Sequence, residues 1–190
     1  MKLDINQVKN LQKKIVAGDT VAFESFYRLF FQRLHNFAMM YLHKKELAEE
    51  VVNDVMLKIW NKRAEIQQIE NIETYLFTAI RNHSLNHLSQ FSHYHVMYEP
   101  ENGTMEMVNL SDPARLLEWK EIYHRLNLAI ETLPDQCKTV FKLIREEGFK
   151  YKEVAEILNI SPRTVETQLF RAVKKLDKII EMYMAGCKEF

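Results

Sequence analysis

The stretch LNISPRTVETQLFRA, residues 158–172, decides how the C-terminal part of the chain folds. Asn159 tolerates the left-handed backbone that a sharp turn requires. Ser161 is a good N-cap, and Pro162 follows at the first helical position, where a missing N–H costs no hydrogen bond. Since Tyr151 to Leu158 are predicted as one short helix, the whole pattern predicts a helix-turn-helix.

The second helix of this motif separates into an apolar stripe and a mixed polar face on a helical wheel. The stripe holds Val165, Leu169, Ala172, Val173 and Leu176, and the opposite face holds Arg163, Thr167, Phe170, Arg171 and Lys174. An exposed aromatic side chain among cations favours a partner that covers it. The DNA major groove would do so, because it presents thymine methyl groups and guanine acceptors. Alternatively, Phe170 packs on a neighbouring helix and the cations form a solvated face.

The rest of the chain also shows helical periodicity, and glycine and proline are scarce at four each. We therefore predict an all-α protein. Its two helical domains span residues 1–90 and 113–190, and residues 91–112 form a flexible linker that contains Pro, Gly, Asn and Ser without a sustained period.

Within the first domain, a helix that Asp19 or Thr20 caps should be followed by two more helices. These run from about Lys45 to Trp60 and from about Ile72 to Ser89, with a polar loop from Asn61 to Asn71 between them. In the second domain, Leu133-Pro134 separates two helices and Gly148 ends one.

Charge is distributed unevenly although the formal net charge is zero. Between Phe91 and Glu118 there are five acidic residues and one basic residue, whereas Ser161 to Lys178 holds five basic residues and two acidic ones. The chain therefore has an acidic middle and a basic end.

The sequence predicts a cytoplasmic protein. MKLDINQVKN lacks the apolar segment of a secretory leader, and no apolar run approaches the roughly 20 residues that cross a bilayer. Cys137 and Cys187 are far apart and match no metal spacing, so neither a disulfide framework nor a metal site is expected.

The predicted helix at about 45–60 has a wide apolar surface. Its core stripe consists of Leu47, Ala48, Val51, Val52, Val55 and Ile59. Met56, Leu57 and Trp60 extend apolar surface beyond that stripe, next to the carboxylates of Glu49 and Glu50. Such a mixed surface suits a protein partner. Alternatively, another helix of the same domain covers it.

Two segments of the first domain, LAEEVVNDVMLKIW (residues 47–60) and YLFTAIRNHSLNHL (75–88), resemble the second conserved region of sigma-70-type sigma factors. LPDQCKTVFKLIREEGFKYKEVAEILNISPRTVETQLFRAVKKL (133–176) resembles their fourth region. Because only a short linker separates the regions, the chain resembles the extracytoplasmic-function (ECF) class. The resemblance implies a protein that binds core RNA polymerase and promoter DNA, and that a membrane-tethered anti-sigma factor binds. It implies no cofactor, small-molecule substrate or catalytic residue.

The resemblance also implies three sets of binding residues. The polymerase set is Glu49, Glu50, Asn53, Asp54 and Met56. The minus-ten set, which captures an unpaired base, is Lys62, Arg63, Gln67, Gln68, Arg81, Asn82 and Asn86, with Tyr75 where the family often has Trp. For the minus-thirty-five element, the resemblance implies contacts from Glu166, Thr167, Phe170 and Arg171, and the predicted DNA-binding face adds Arg163, Thr164 and Lys174. Glu166 departs from the family, in which a basic residue is common. The acidic linker could occupy a basic polymerase channel or serve as a soluble spacer.

The residues leave two competing functions open. His83 and His87 stand one helical turn apart, as in a helical zinc site, but Ser84 occupies the place where a metalloprotease carries its general base. The chain could also be a helix-turn-helix activator with an unrelated N-terminal interaction domain.

Overall fold

The computed structural model describes residues 5–91 and 125–186, with side chains for residues 6–89 and 125–181. Helices dominate both ranges, and neither contains a β-strand. The chain divides into two compact units, one containing residues 5–91 and the other most of residues 125–186. The prediction of an all-α protein with two helical domains is confirmed. Residues 92–112 of the predicted linker lie outside the described residues.

Residues 5–91 of the first unit form four α-helices and one short 3-10 turn. The helices are α1 (Ile5–Val16), α2 (Thr20–Leu42), α3 (Lys45–Asn61) and α4 (Ile72–Phe91), and the 3-10 turn spans Glu65–Gln68. Helices α2, α3 and α4 confirm the predicted ones with small differences at their ends. Helix α1 was not predicted, and the 3-10 turn lies inside the segment expected to be a polar loop.

The start of α2 depends on a capping aspartate. Asp19 Oδ1 accepts hydrogen bonds from the backbone N–H groups of Val21 at 2.9 Å and Ala22 at 3.0 Å. The cap is therefore Asp19 and not Thr20. At the other end, His43 takes the left-handed conformation with φ 54°, and its N–H donates to the Met39 carbonyl. This turn allows α3 to begin at Lys45 after a link of only two residues.

The core of the first unit forms where α2 packs against α3 and α4. Helix α2 contributes Phe26, Phe30 and Leu34, all without exposed surface, and α3 and α4 contribute Val51, Val52, Leu76, Phe77 and Ile80. The rings of Phe37 and Phe77 are tilted with centroids 5.0 Å apart. Burial of side chains of this size contributes about 1.5–3 kcal/mol each, so this core supplies much of the stability of the unit.

The second described range, residues 125–186, contains the described part of α5 (residues 125–131), α6 (Asp135–Arg145), α7 (Tyr151–Leu158) and α8 (Pro162–Gly186). Helices α7 and α8 form the predicted helix-turn-helix. Asn159 has φ 49°, as the turn requires, and Ser161 Oγ accepts a hydrogen bond from the Thr164 N–H at 3.0 Å. The predicted turn and cap are therefore confirmed.

Helix α8 is anchored by its apolar stripe. Val165, Leu169, Ala172 and Leu176 are buried, and Val173 is half-buried. Ala172 and Leu176 join a cluster with Ile130, Leu133 and Cys137, which ties α8 to α5 and α6.

Charged side chains connect the end of α5 to α6 and α8. Glu131 accepts hydrogen bonds from Lys138 and Lys142 of α6, both at 2.9 Å, and Lys175 of α8 donates to the Thr132 carbonyl. Lys175 therefore caps a helix end within its own unit, although it belongs to the basic segment of the sequence. Among the helices in the described ranges, none combines the length and apolar character needed to span a bilayer.

Candidate nucleic-acid and partner interfaces

Helix α8 presents a polar face that its own unit leaves uncovered. Phe170 is 66% exposed at the centre of this face. Arg163, Glu166, Thr167, Arg171 and Lys174 are also exposed, and Thr164 is half-exposed. The alternative in which Phe170 packs on a neighbouring helix of its unit is therefore wrong. The face combines an aromatic ring, three cations, one carboxylate and two threonine hydroxyls along one helix side.

Two threonines of this face have internal hydrogen bonds. The hydroxyl of Thr164 lies 2.8 Å from Ser161 Oγ within the helix cap, and Thr167 Oγ1 donates to the Arg163 carbonyl at 2.9 Å. Their methyl groups remain the parts available for apolar contacts, whereas Glu166 and Arg171 keep their charged ends exposed.

Sequence reasoning missed Gln168, which links this helix to the start of α6. Its Oε1 accepts a hydrogen bond from the Cys137 thiol at 2.9 Å, and its Nε2 donates to Gln136 Oε1 at 3.1 Å. Burial raises the pKa of the Cys137 thiol, although Arg171 and Lys175 oppose the shift. The thiol therefore stays protonated and donates to Gln168, which adds a polar link between α8 and α6.

On α3, the exposed side differs from the predicted one at one position. Glu49, Glu50, Asn53 and Asp54 are exposed as expected. Met56 is only 1% exposed, so its prediction as a surface contact is wrong. The buried stripe of α3 is wide enough to include Met56 beside Val52 and Ile59. Leu57, 57% exposed, supplies the apolar surface instead.

The other apolar extension of α3, Trp60, is covered by its own unit. Its ring packs on Phe23 of α2 with centroids 5.0 Å apart, and the Arg63 guanidinium lies 4.9 Å from the Trp60 centroid. The alternative of an internal cover thus holds for Met56 and Trp60 but not for Leu57.

Tyr27 of α2 takes part in the exposed surface of α3. Its hydroxyl donates to Asn53 Oδ1 at 2.7 Å, and its ring stacks on Phe31 with centroids 5.2 Å apart. Burial and the Glu49 carboxylate raise the pKa of Tyr27, so the hydroxyl remains a donor. Asn53 is therefore held in one orientation beside the carboxylates.

A pocket of about 430 Å³ opens between the end of α3, the 3-10 turn and the start of α4. Its lining consists of Lys58, Ile59, Lys62, Glu65, Ile66, Gln68, Ile69 and Tyr75. The isoleucines supply apolar walls, and Tyr75 contributes an aromatic ring that is 45% exposed. Charged and amide groups stand at the same opening, so the pocket could hold a flat apolar group with polar edges.

Four of the predicted minus-ten residues belong to the segment between α3 and α4. Lys62 and Gln68 line the pocket, and Gln67 is exposed beside it. Arg63 is not among the lining residues, and its guanidinium donates to the Trp60 carbonyl at 3.1 Å.

Three further predicted residues lie along α4. Asn82 and Asn86 are exposed, outside the residues that line the pocket. Arg81 is half-buried and donates to Asn82 Oδ1 at 3.2 Å. Burial raises the pKa of Tyr41, and a hydrogen bond from Arg81 opposes this rise. Arg81 is thus partly engaged within its own unit.

One histidine of the α4 pair, His83, contacts a lysine of α3. His83 Nε2 lies 2.7 Å from Lys58 Nζ. Burial and the Lys58 ammonium lower the pKa of His83, and Asp54 opposes the shift. A neutral His83 accepts the hydrogen bond, so the ammonium competes with any zinc ion for the same lone pair. Within residues 5–91 and 125–186, no three His, Cys, Asp or Glu side chains are grouped for metal binding.

These features define the class of the protein. A capped helix-turn-helix with an exposed cationic and aromatic face, in one chain with a second helical unit that offers a partner surface and a pocket, is typical of a DNA-binding transcription protein. Family models assign both units: residues 26–92 match "Sigma-70 region 2" and residues 123–176 match "Sigma-70, region 4". The chain belongs to the sigma-70 family of RNA polymerase sigma factors, in the ECF subfamily.

Individual relatives agree with this family. The chain is similar to RNA polymerase sigma factor YlaC of Bacillus subtilis, with 26% identity over 155 residues, 82% of this chain and 90% of the relative. It is similar to ECF RNA polymerase sigma factor SigM of the same organism, with 22% identity over 80% of this chain and 91% of the relative. Its fold is similar to that of the sigma factor RpoE in a co-crystal structure with the anti-sigma factor NepR from Bartonella quintana. The TM-score is 0.61 and the identity 21%, and the match covers 84% of this chain and 96% of that chain.

The contact between α3 and α4 predicts how His83 titrates. Replacing Lys58→Met should raise the pKa of His83, because the cation that opposes protonation is removed, and Asp54→Asn should lower it. Histidine C–H chemical shifts against pH in the free protein measure both changes. Since folding lowers this pKa, the contribution of His83 to stability is complete above about pH 6.5 and declines as the pH falls towards the folded value. An unchanged pKa in Lys58→Met would show that the contact is absent in solution.

Proposed function

We propose that this sigma factor binds core RNA polymerase through α3 and directs it to promoters with two elements, one read by α8 and the other captured at the pocket. The observation that carries the proposal is the exposed face of α8, where Phe170 is 66% exposed on a capped helix whose other side is buried. The proposal keeps the predicted domain boundaries of 1–90, 91–112 and 113–190.

In the proposed complex, α8 enters the major groove at the minus-thirty-five element. Arg171 pairs with guanine O6 and N7, and Phe170 contacts a thymine methyl group. Arg163 and Lys174 contact phosphates, which position the helix without reading sequence. Glu166 accepts a hydrogen bond from a cytosine amino group. The methyl groups of Thr164 and Thr167 make apolar contacts in the same groove.

The pocket is the proposed site for one unpaired base of the minus-ten element. Extruding a base from the duplex costs a few kcal/mol, so it requires a site that stacks the ring and bonds its edges. Tyr75 and the isoleucines provide the apolar contact, and Lys62 and Gln68 provide the polar edges. Gln67, Arg63, Arg81, Asn82 and Asn86 lie around the pocket or along α4, where they would follow the displaced strand.

The proposed polymerase surface is the exposed side of α3. Glu49, Glu50, Asn53 and Asp54 form its polar part, and Leu57 replaces Met56 as its apolar anchor. Carboxylates around an apolar anchor fit a basic, partly apolar surface on the polymerase. Because Tyr27 holds Asn53 before binding, less conformational entropy is lost on docking.

An anti-sigma factor is the proposed regulatory partner. The solved sigma factor of similar fold was crystallised with one, which supports the same kind of partner here. A membrane tether on that partner, and a cytoplasmic location for this chain beside the polymerase, follow from the family resemblance. The proposal assigns the chain no cofactor, no small-molecule substrate and no covalent chemistry.

Transcription with purified components tests the function. Core RNA polymerase with the full chain should start transcripts at discrete sites in a genomic library, and core enzyme alone should not. Sequencing the 5′ ends would identify the promoters. An activator with an unrelated N-terminal domain should instead bind specific duplex DNA tightly by itself, so tight binding by the free chain in a gel shift would contradict the sigma mechanism.

The role of Arg171 gives a sharper prediction within this assay. Arg171→Ala should weaken holoenzyme binding by about 1–3 kcal/mol on promoters with the cognate guanine, because a bidentate base contact is lost. Binding curves on promoters with and without that guanine measure the effect. Lys174→Ala is the contrast, since a phosphate contact should be lost equally on both. If Arg171→Ala weakens binding equally on promoters with and without the guanine, Arg171 contacts the DNA phosphates and not a base.

Substitutions at Leu57 and Met56 should distinguish an effect on polymerase binding from an effect on folding stability. Leu57→Ala should weaken core polymerase binding roughly fivefold to thirtyfold, as expected for an interface anchor, and leave stability nearly unchanged. Met56→Ala should lower the free energy of unfolding by about 2–5 kcal/mol, because it removes a core side chain. Titration against fluorescent core enzyme and urea denaturation measure the two effects. Leu88→Ala, at an exposed leucine of α4, is the matched control, and equal affinity for Leu57→Ala and this control would contradict the docking surface.

A further inference from the structure

Helix α1 contains a buried polar residue on the side that faces the rest of its unit. Val8 and Ile15 are buried on this side, and Gln12 between them is only 6% exposed. Helix α1 packs on α2 and on the 3-10 turn. A buried amide requires hydrogen-bond partners, and those of Gln12 lie far away in the sequence.

The partners are two backbone carbonyls of the loop between α3 and α4. Gln12 Nε2 donates to the Ile66 carbonyl at 3.3 Å and to the Ile69 carbonyl at 3.4 Å. An amide nitrogen has two N–H donors, so one side chain can satisfy both groups. The first carbonyl lies within the 3-10 turn and the second directly follows it.

Both of these residues line the pocket. Ile66 and Ile69 supply two of its apolar walls. The 3-10 turn is closed locally by a hydrogen bond from the Ile69 N–H to the Ile66 carbonyl at 3.2 Å. A short turn of this kind has weak internal bonding, so the contacts from Gln12 add an anchor from outside the loop. Gln12 thus holds the backbone on which the pocket wall is built.

We propose that Gln12 is a positioning residue for the minus-ten base, which holds the carbonyls of Ile66 and Ile69 and so keeps the pocket open in its binding shape. This inference rests on the proposed capture of an unpaired base at the pocket. A loop that is already ordered loses less conformational entropy when the base enters. Gln12 does not contact the base and acts through the loop alone.

The first test measures binding of holoenzyme to forked promoter DNA with an unpaired minus-ten strand. Each unpaired base in turn is replaced by an abasic site, which identifies the captured base as the one whose loss weakens binding. Gln12→Met keeps the length of the side chain but removes both donors. It should weaken binding to the intact fork roughly tenfold, as expected from the loss of one or two hydrogen bonds, and leave binding to the fork lacking the captured base unchanged.

Gln7→Met is the matched control, because Gln7 is an exposed glutamine on the same helix. It should bind both forks like the wild-type protein. Equal losses for Gln12→Met on the intact and abasic forks would indicate a general structural role and overturn the inference. Wild-type binding to the intact fork would overturn it as well.

The second test needs no DNA. Hydrogen exchange at the Ile69 amide of the free protein should be faster in Gln12→Met than in Gln7→Met, because the loop has lost its anchor. Unchanged exchange would overturn the inference even if base capture is real. Conversely, wild-type holoenzyme that binds intact and abasic forks equally would overturn the proposed base capture, whatever the exchange result.

Discussion

A helix can offer a rigid binding face only when the opposite side of the same helix is buried, and both units of this sigma factor obey this constraint. Helix α8 buries Val165 and Ala172 completely and exposes Phe170. Helix α3 buries Val51 and Val52 and exposes carboxylates and Leu57. Apolar burial therefore fixes both the stability of each helix and the direction in which its polar side faces.

The loop between α3 and α4 is built differently. It has no wide apolar stripe, and only Ile66 in its 3-10 turn is buried. Its backbone is held by local turn hydrogen bonds and by the amide of Gln12. Such a segment can present backbone and side-chain groups around a pocket, which a regular helix with internally paired backbone groups cannot do. The proposed base-binding site therefore lies at the loop, whereas the proposed polymerase and major-groove contacts lie on helices.

Sequence reasoning worked best where the controlling interactions are local. The left-handed Asn159 and the Ser161 cap involve groups within a few residues of each other, so their chemistry is visible in the sequence. It worked less well where several helices compete for the same apolar side chain. Periodicity could not decide which of Met56 and Leu57 is buried, because both lie near the edge of the stripe and α2 and α4 determine how wide that stripe becomes.

The sequence by itself determined the helical class, the helix-turn-helix, the family resemblance and the exposed face of α8, since these follow from spacing and capping within single segments. Only the tertiary structure decided the packing of α1, the hydrogen bond of Tyr27 to Asn53, the exposure of Leu57 and the walls of the pocket. The physical reason is chain distance: the contact between Gln12 and Ile66 joins residues 54 positions apart. No local pattern encodes such a pair, because it exists only after the core of the first unit has brought α1 against the loop.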